Sequence, residues 1–306
     1  MTTTERTASQ SRSFSLAQSD FPLAPLASGQ ADVLALIVDT EGPSYRPKGA
    51  GMAITPEGRR TGSLSSGCIE EDVVLHAASI RASGTPRVIR YGRGSPYPDL
   101  ALPCGGGLDI LLMPVSTPET RAPFIAAQAQ LAARRPAALR LPLPDASGEV
   151  ALTLTPDLRF LVFGKGPEAR IFAGLTHLAG YPTELFSPSE ETIGKAEGHP
   201  ARHLVSARWP EGLQTDPYTA VTLFFHDHDW EPPILTHALA SDAFYIGAQG
   251  SLRTHEARCA TLADAGVPPE QIARMDRPFG LIPSARDART LAVSVLADVL
   301  AEARIT

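Results

Sequence analysis

The chain has 306 residues, a formal net charge of −6 and an ordinary apolar fraction of 43%. This length favours two domains, and the negative charge argues against a general nucleic-acid-binding protein. No apolar run reaches the roughly 18 residues that a membrane helix needs, and the first residues lack the apolar stretch of a secretory signal. The three cysteines, an odd number, indicate a reducing cytoplasm and no disulfide framework.

The chain begins with a segment of low apolar content. Residues 1–20 are rich in Thr, Ser and Gln, so we expect a disordered tail. The apolar run from Val33 to Val38 predicts a buried strand, and the long polar loop after it carries Arg46 and Lys48. Two further strands are expected at residues 51–55 and 59–64, joined by a turn.

A turn rich in glycine and serine connects the last of these strands to a helix, predicted from about Cys68 to just before Gly84. The first N–H groups of a helix have no partner inside the helix and favour negative charge. They can stabilise a thiolate at this position, or hold a phosphate where glycines let it come close. The alternative is a capped helix with a small buried thiol. The candidate binding residues of this turn are Gly62, Ser65, Ser66, Gly67 and Cys68.

A second cysteine lies in a similar setting. Cys104 comes before three glycines, Gly105 to Gly107, and before a strand predicted at residues 108–113. Consecutive glycines are costly unless a ligand or another backbone approaches closely. Two glycine-flanked thiols, Cys68 and Cys104, therefore suggest a site that handles sulfur or a metal. A strand at residues 87–91, a helix at 117–135 and two strands within 137–154 complete the first domain.

The second half of the chain shows strands that alternate with helices. Strands are predicted at residues 158–163, 180–186, 220–225 and 243–246, and the last helix at 287–303. This alternation is typical of a doubly wound parallel sheet. We therefore predict an α/β protein with a disordered tail (1–20), an N-terminal α/β domain with a mixed sheet (21–155) and a Rossmann-like domain with a doubly wound parallel sheet (156–306).

The turn after the first strand of the second domain fits the dinucleotide-binding pattern GxGxxG/A. Its first two glycines are Gly164 and Gly166, and Ala169 takes the third position. The acidic residue that binds the ribose of NAD is missing, since the next strand ends in Phe186-Ser187-Pro188-Ser189. We expect a phosphate-bearing ligand rather than redox use of NAD. The alternative is a turn kept for packing the helix on the strand.

Two later strand ends carry further candidates. His226 and His228 follow the strand at 220–225 and are expected to line a polar ligand site, with a metal site as the alternative. Gly250 and Ser251 precede a helix and can offer N–H groups to an anion, although Ser251 could equally be a simple N-cap. Cys259, inside that helix, is expected to belong to the core.

The order of these motifs resembles that of the XdhC/CoxI family, from about residue 31 to the C-terminus. In the first domain the similar segments are Thr40-Glu41-Gly42-Pro43-Ser44-Tyr45-Arg46-Pro47-Lys48-Gly49-Ala50, Gly62-Ser63-Leu64-Ser65-Ser66-Gly67-Cys68-Ile69-Glu70 and Pro103-Cys104-Gly105-Gly106-Gly107. In the second domain they are Phe163-Gly164-Lys165-Gly166, His226-Asp227-His228-Asp229, Tyr245-Ile246-Gly247-Ala248-Gln249-Gly250-Ser251 and Arg277-Pro278-Phe279-Gly280-Leu281.

The resemblance implies a maturation factor with no turnover of its own. Such a protein binds and protects the molybdenum cofactor, as molybdopterin or its cytosine dinucleotide form, and supports its sulfuration by a cysteine desulfurase. It then inserts the cofactor into an apo molybdenum hydroxylase of the xanthine dehydrogenase type. A cytoplasmic homodimer is implied as well.

The resemblance also implies roles for individual residues. Cys68 and Cys104 would contact the metal–sulfur end of the cofactor, the glycine turns would hold its phosphate, and Arg46 and Lys48 would add positive charge. Two alternatives stay open from the residues alone. One is an NAD(P)-binding Rossmann oxidoreductase, and the other is a metal-dependent hydrolase that uses His226 and His228.

Overall fold

The computed structural model describes residues 12–65, 67, 69–96, 102–144, 148–196, 198–226 and 229–303. The chain folds as two compact units, with the boundary between Pro156 and Asp157. Each unit has its own pair of hydrophobic cores. Among the described residues, no helix is both long enough and apolar enough to cross a membrane.

The first unit contains two sheets and three helices in its described part. Its elements are β1 (Arg12–Ala17), α1 (Leu23–Ser28), β2 (Val33–Glu41), β3 (Gly51–Ile54), β4 (Arg60–Gly62), α2 (Glu70–Ser83), β5 (Arg87–Gly92), β6 (Gly107–Pro114), α3 (Pro118–Ala132), β7 (Ala137–Pro142) and β8 (Glu149–Thr155). The order β4-β3-β2-β6-β5 forms an antiparallel sheet. The order β1-β8-β7 forms a smaller sheet with one parallel and one antiparallel pair. The prediction of an α/β unit with strands in mixed directions is confirmed.

Strand β2 is the central strand of the five-stranded sheet, and both of its faces are buried. Successive side chains of a strand point to opposite faces. Leu34 and Leu36 pack in the core formed with α1, α3 and the smaller sheet, whereas Ala35 and Ile37 pack in the core formed with α2. This explains why the strand is a continuous apolar run rather than an alternating one.

Helix α2 confirms the helix predicted after the glycine-serine turn. It begins at Glu70 and ends at Ser83, and Gly84 caps it in the left-handed conformation with a φ of +63°. Val73, Ala77 and Ile80 form its buried face. The helix therefore stands on one face of the five-stranded sheet and carries the turn at its N-terminus.

The prediction that residues 1–20 form a disordered tail is wrong for residues 12–20. Arg12–Ala17 form β1, which pairs with β8 in parallel, and a short 3-10 turn follows at Gln18–Asp20. Polar and apolar residues alternate in this segment, and Leu16 is buried in the core while Phe14 packs against it. The first eleven residues lie outside the described part of the chain.

The second unit is a parallel sheet with helices on both faces. Its elements are β9 (Arg159–Gly164), α4 (Gly166–Leu178), β10 (Thr183–Ser187), α5 (Glu190–Gly194), β11 (Ala201–His203), β12 (Thr219–Phe224), α6 (Glu231–Leu239), β13 (Tyr245–Ala248), α7 (Leu252–Asp264), α8 (Pro269–Ile272) and α9 (Ala288–Glu302). The strand order is β11-β10-β9-β12-β13, with every described pair parallel. Helices α4 and α9 contribute to one core and α6 and α7 to the other. The predicted Rossmann-like sheet is confirmed.

Candidate functional site

The turn before α2 is folded around the carboxylate of Glu70. This side chain is almost fully buried, with 4% of the residue exposed. It accepts hydrogen bonds from the backbone N–H groups of Leu64 (3.0 Å), Ser65 (2.8 Å), Gly67 (2.9 Å) and Ile69 (3.2 Å), and from the hydroxyls of Ser63 (3.0 Å) and Ser65 (2.9 Å). Backbone N–H groups of the turn, up to that of Ile69 directly before α2, thus bind the chain's own carboxylate.

These hydrogen bonds decide the charge state of Glu70. Burial by itself would raise the pKa of the carboxyl group, but the backbone and side-chain hydrogen bonds from Ser65, together with that from Leu64, outweigh burial and lower the pKa to about 2. Glu70 is therefore ionised at neutral pH. Sequence reasoning missed this role, although an acidic residue in the first helical turn beside a glycine turn is a usable signal.

Two glycines shape the same turn in different ways. A Cβ at Gly62, where φ is +91°, would lie 2.3 Å from the carbonyl oxygen of Gly51, so this position needs glycine. Gly67 has a φ of +105° and is exposed, and a Cβ there would meet nothing within 4 Å. The turn is therefore packed at its start and open near its end. Ser66 and Cys68, both predicted site residues, lie outside the described residues.

The loop that carries Cys104 packs against the loop that follows β2. The Cys104 thiol is half-buried and donates a hydrogen bond to the carbonyl oxygen of Pro43 at 3.3 Å. A Cβ at Gly106 would lie 2.1 Å from that same oxygen, so the close approach of the two backbones explains this glycine. Gly105 has open space on its Cβ side.

The two cysteine-bearing segments belong to one end of the five-stranded sheet. Tyr91, near the end of β5, donates a hydrogen bond of 2.6 Å to Asp72 in the first turn of α2. The next residue of β5, Gly92, pairs with Gly107 at the start of β6, directly after the Cys104 loop. Side chains on either side of Cys68, Leu64 and Ile69, share a hydrophobic core against which Cys104 packs.

The two cations predicted to attract an anionic ligand already have carboxylate partners. Arg46 pairs with Asp20 at 3.1 Å, and Lys48 pairs with Asp39 at 2.9 Å. The hydrogen bond from Lys48 lowers the pKa of Asp39. The sequence pattern did not reveal these partners, because Asp20 lies 26 positions before Arg46.

In the second unit the glycine turn uses its first N–H groups internally. The N–H of Lys165 donates to the carbonyl oxygen of Phe224 at 3.3 Å, and the N–H of Gly166 donates to the Thr192 hydroxyl at 2.9 Å. Pro167 has no N–H. A Cβ at Gly164 would lie 2.5 Å from the Phe224 carbonyl oxygen. Gly164 is therefore required for the approach of β9 to β12, which matches the packing alternative for this residue.

The remaining candidates of the second unit lie at the ends of β12 and β13. The His226 side chain is 62% exposed, with its Nε2 atom 3.8 Å from Glu168. Ser251 caps α7 by accepting from the N–H of Thr254 at 3.2 Å. Asp227 and His228 lie outside the described residues. Within the described part of the chain, no group of three His, Cys, Asp or Glu residues is arranged to hold a metal ion.

A buried ion pair that the sequence did not predict supports the turn between β13 and α7. Arg258 makes two bonds to Glu231, of 3.0 and 3.1 Å, and a third of 2.7 Å to the carbonyl oxygen of Gln249. Both charged side chains are more than nine-tenths buried. Cys259, on the same helix, packs against the core, and burial raises the pKa of its thiol. Cys259, predicted to belong to the core, is partly buried and packs against that core.

Comparisons with known proteins match both units. A model of the XdhC and CoxI family matches residues 26–92, and a model of the XdhC Rossmann domain matches residues 160–299. The molybdenum cofactor insertion chaperone PaoD of Escherichia coli strain K12 is 35% identical over 294 residues, which cover 91% of this chain and 86% of PaoD.

Two further relatives are similar over nearly the whole chain. A protein of Bacillus subtilis strain 168, named as a probable subunit of xanthine dehydrogenase, is 25% identical, and the match covers 88% of this chain and 92% of the relative. The crystal structure of a xanthine dehydrogenase from Bacillus halodurans superposes with a TM-score of 0.72, covering 92% of this chain and 94% of the other. At 22% identity, this last similarity shows that the fold is shared.

Proposed function

The chain belongs to the XdhC and CoxI family, and from this premise we propose that it is a chaperone that binds the molybdenum cofactor and inserts it into an apo-enzyme. The observation that carries the proposal is the 35% identity, over 91% of the chain, to a protein named as a molybdenum cofactor insertion chaperone. The cofactor is then the cargo of this protein rather than a group it uses for its own catalysis.

We place the cargo's metal–sulfur end at the end of the five-stranded sheet where the Cys104 loop and the turn before α2 lie. Thiols are soft ligands that suit a metal with sulfur ligands. Cys104 is half-buried there. The missing side chains of Gly67 and Gly105 leave space through which a ligand can approach the backbone. The proposed metal contacts are Cys104 and, from the resemblance, Cys68.

We propose that positive side chains, rather than the turn before α2, bind the cargo's phosphate in the first unit. The amides of that turn are already hydrogen-bonded to Glu70. Arg46 and Lys48 have side chains that are 33% and 44% exposed. Exposed ion pairs contribute little stability, so each cation can exchange its carboxylate for a phosphate at low cost.

The partners and setting of the protein belong to the same proposal. We infer delivery to a molybdenum hydroxylase of the xanthine dehydrogenase type, because one relative is named as a probable component of such an enzyme. Sulfuration by a cysteine desulfurase, a homodimeric state and a cytoplasmic location follow from the family resemblance. The ends of β12 and β13, with His226, His228, Gly250 and Ser251, stay predicted contacts for the cofactor.

The proposal is tested by measuring bound molybdenum and pterin. Protein purified from molybdenum-replete cells is expected to carry both, or to take up added cofactor. We expect Cys104→Ala and Cys68→Ala to retain several-fold less of each per protein chain, since each variant removes a soft ligand.

Cys259→Ala is the matched control, because it removes a thiol that packs on the core of the second unit. It is expected to retain cofactor like the unchanged protein. Protein that carries neither molybdenum nor pterin, and cannot take up added cofactor, would refute the chaperone function. Equal retention by all three variants would instead remove the two cysteines from the site.

A further inference from the structure

A cavity of about 340 Å³ lies beside the glycine turn of the second unit. It is bounded by the start of α4 and by the segment that follows β10. These two segments come directly after neighbouring parallel strands, so the cavity lies at the carboxyl edge of the sheet. Open α/β sheets bind their ligands along this edge. Its polar and charged lining side chains are Lys165, Arg170, Ser189, Glu191, Thr192 and Lys195.

The charge of the cavity favours an anion. Three cationic side chains, those of Lys165, Arg170 and Lys195, line it together with one carboxylate, that of Glu191. Glu191 on α5 and Lys195 directly after it form an ion pair, with Lys195 Nζ 2.6 Å from the Glu191 carboxylate. Beyond this pair, the described lining carries the cationic side chains of Lys165 and Arg170. Arginine and lysine are the side chains with which proteins bind phosphate groups.

The residue at the end of β10 indicates which phosphate group of a nucleotide the cavity would bind. In dinucleotide-binding sheets of this strand order, an acidic residue there binds the ribose 2′-hydroxyl, whereas a nearby arginine accommodates a 2′-phosphate. Here the strand ends at Ser187, whose hydroxyl accepts the N–H of Ser189 at 3.2 Å. No carboxylate occupies this described position, and Arg170 and Lys195 line the adjacent cavity.

Three successive positions of the glycine turn offer no free N–H group to an anion. The N–H groups of Lys165 and Gly166 are bonded within the protein, and Pro167 has none. Binding would therefore rest on the cationic side chains, which favours a terminal phosphate with two negative charges over a bridging pyrophosphate.

We propose that this cavity binds an adenosine nucleotide through a 2′-phosphate, so that the second unit prefers NADP(H) to NAD(H). The Arg170 guanidinium and the Lys195 ammonium group would bind the phosphate oxygens, and the Ser189 hydroxyl would add a hydrogen bond. The site would bind NADP(H) and discriminate against NAD(H), and no hydride transfer is part of the proposal. It goes beyond the chaperone function and does not depend on it.

The test is a fluorescence titration of the full chain with NADPH and NADH, with displacement by adenosine 2′,5′-bisphosphate and by AMP. Charge-assisted bonds to a phosphate predict that NADPH binds roughly tenfold or more tightly than NADH. Adenosine 2′,5′-bisphosphate is expected to displace NADPH at lower concentration than AMP does. Absent binding, equal affinities for the two dinucleotides, or equal displacement by inorganic phosphate would each overturn the proposal.

Substitutions in the cavity test whether NADPH binds there. Arg170→Ala and Lys195→Ala are expected to bring the affinities for NADPH and NADH to within about threefold of each other, because each removes a charge-assisted bond. Ser189→Asp keeps a good N-cap for α5 while adding a second carboxylate to the cavity, so a folded protein with weakened NADPH binding is expected.

Arg289→Ala is the matched control, since this arginine lies on α9 with a side chain that is 88% exposed. Its NADPH affinity is expected to equal that of the unchanged chain. Loss of NADPH preference in this control, or full preference in Arg170→Ala, would contradict the assignment. Molybdenum and pterin contents of the same preparations report on the chaperone function separately.

Discussion

At the residue scale, the carboxylate of Glu70 holds the turn that carries a predicted cargo ligand. Folding lowers the pKa of this group from 4.5 to about 2, which corresponds to about 3 kcal/mol of stability from its ionised form. We expect Glu70→Gln to lower the free energy of unfolding of the first unit by about 2–3 kcal/mol. The amide has one acceptor oxygen instead of two, so it cannot accept hydrogen bonds from all of the donors that bind the carboxylate. Urea denaturation followed by circular dichroism measures this change.

The stability that Glu70 contributes is also expected to depend on pH. Because the pKa is lower in the folded state, the contribution of Glu70 is complete above pH 4.5 and is lost as the pH falls towards 2. The difference in stability between the unchanged protein and Glu70→Gln should therefore shrink over this range. Glu71→Gln, an exposed neighbour in the same helical turn, is the control and should change stability little. A difference that stays constant down to pH 2 would contradict the assigned role.

Residue roles could be predicted from the sequence only where the pattern itself is local. The glycine requirement at Gly62 comes from the Gly51 carbonyl oxygen on the adjacent strand. The N-cap at Ser251 follows from neighbouring residues. The partners of Arg46 and Arg258 do not, because they lie 26 and 27 positions away and depend on how the elements pack. The hydrogen bonds from the turn before α2 to Glu70 were not predicted either, because the sequence does not show that the carboxylate folds back onto these N–H groups.

At the scale of elements, a buried aspartate ties α9 to the segment before it. Asp298 accepts from Arg277 at 2.8 Å, from the Tyr245 hydroxyl at 2.7 Å and from the N–H of Gly280 at 2.8 Å. Burial would raise the pKa of Asp298, but the hydrogen bonds from Arg277 and Tyr245 outweigh it and lower the pKa. Phe279 adds a ring contact with Phe224 at 4.9 Å. The Arg277–Leu281 motif thus has a structural role.

We expect Asp298→Asn to destabilise the second unit by about 2–4 kcal/mol, since it replaces one buried acceptor oxygen with an NH2 group and removes the negative charge that faces Arg277. Tryptophan fluorescence in urea measures the change. Asp287→Asn is the control on the same helix, because asparagine also caps a helix well and should cost less than about 0.5 kcal/mol. Similar losses of stability in both variants would contradict a specific stabilising role for the hydrogen bonds of Asp298.

Most elements were predictable because their signals are periodic and local. The apolar run of β2, the capped helix α2 and the strand-helix alternation of the second unit all agree with the structure. Strand β1 was missed because six residues in a Ser-rich segment give a weak signal, and its pairing partner β8 lies more than 130 positions further along the chain. The three-residue strand β11 is too short to show a period.

At the scale of the whole molecule, the two tryptophans offer a way to observe one unit at a time. Both Trp209 and Trp230 lie in the second unit, whereas circular dichroism reports on both. Because each unit has its own cores, we expect Glu70→Gln to shift the unfolding transition seen by circular dichroism and to leave the fluorescence midpoint unchanged. Equal shifts by both probes would show that the two units unfold as one.

The carboxylate at the centre of the turn before α2 also affects the entropy of cargo binding. A glycine-rich loop that became ordered only on contact with its ligand would lose backbone freedom at about 1–2 kcal/mol per residue. Here residues 63–65, 67 and 69 are tied to Glu70 by the chain's own hydrogen bonds, so this loss occurs during folding. Uptake and release can then proceed without reordering these residues, which suits a protein that must give its cargo away.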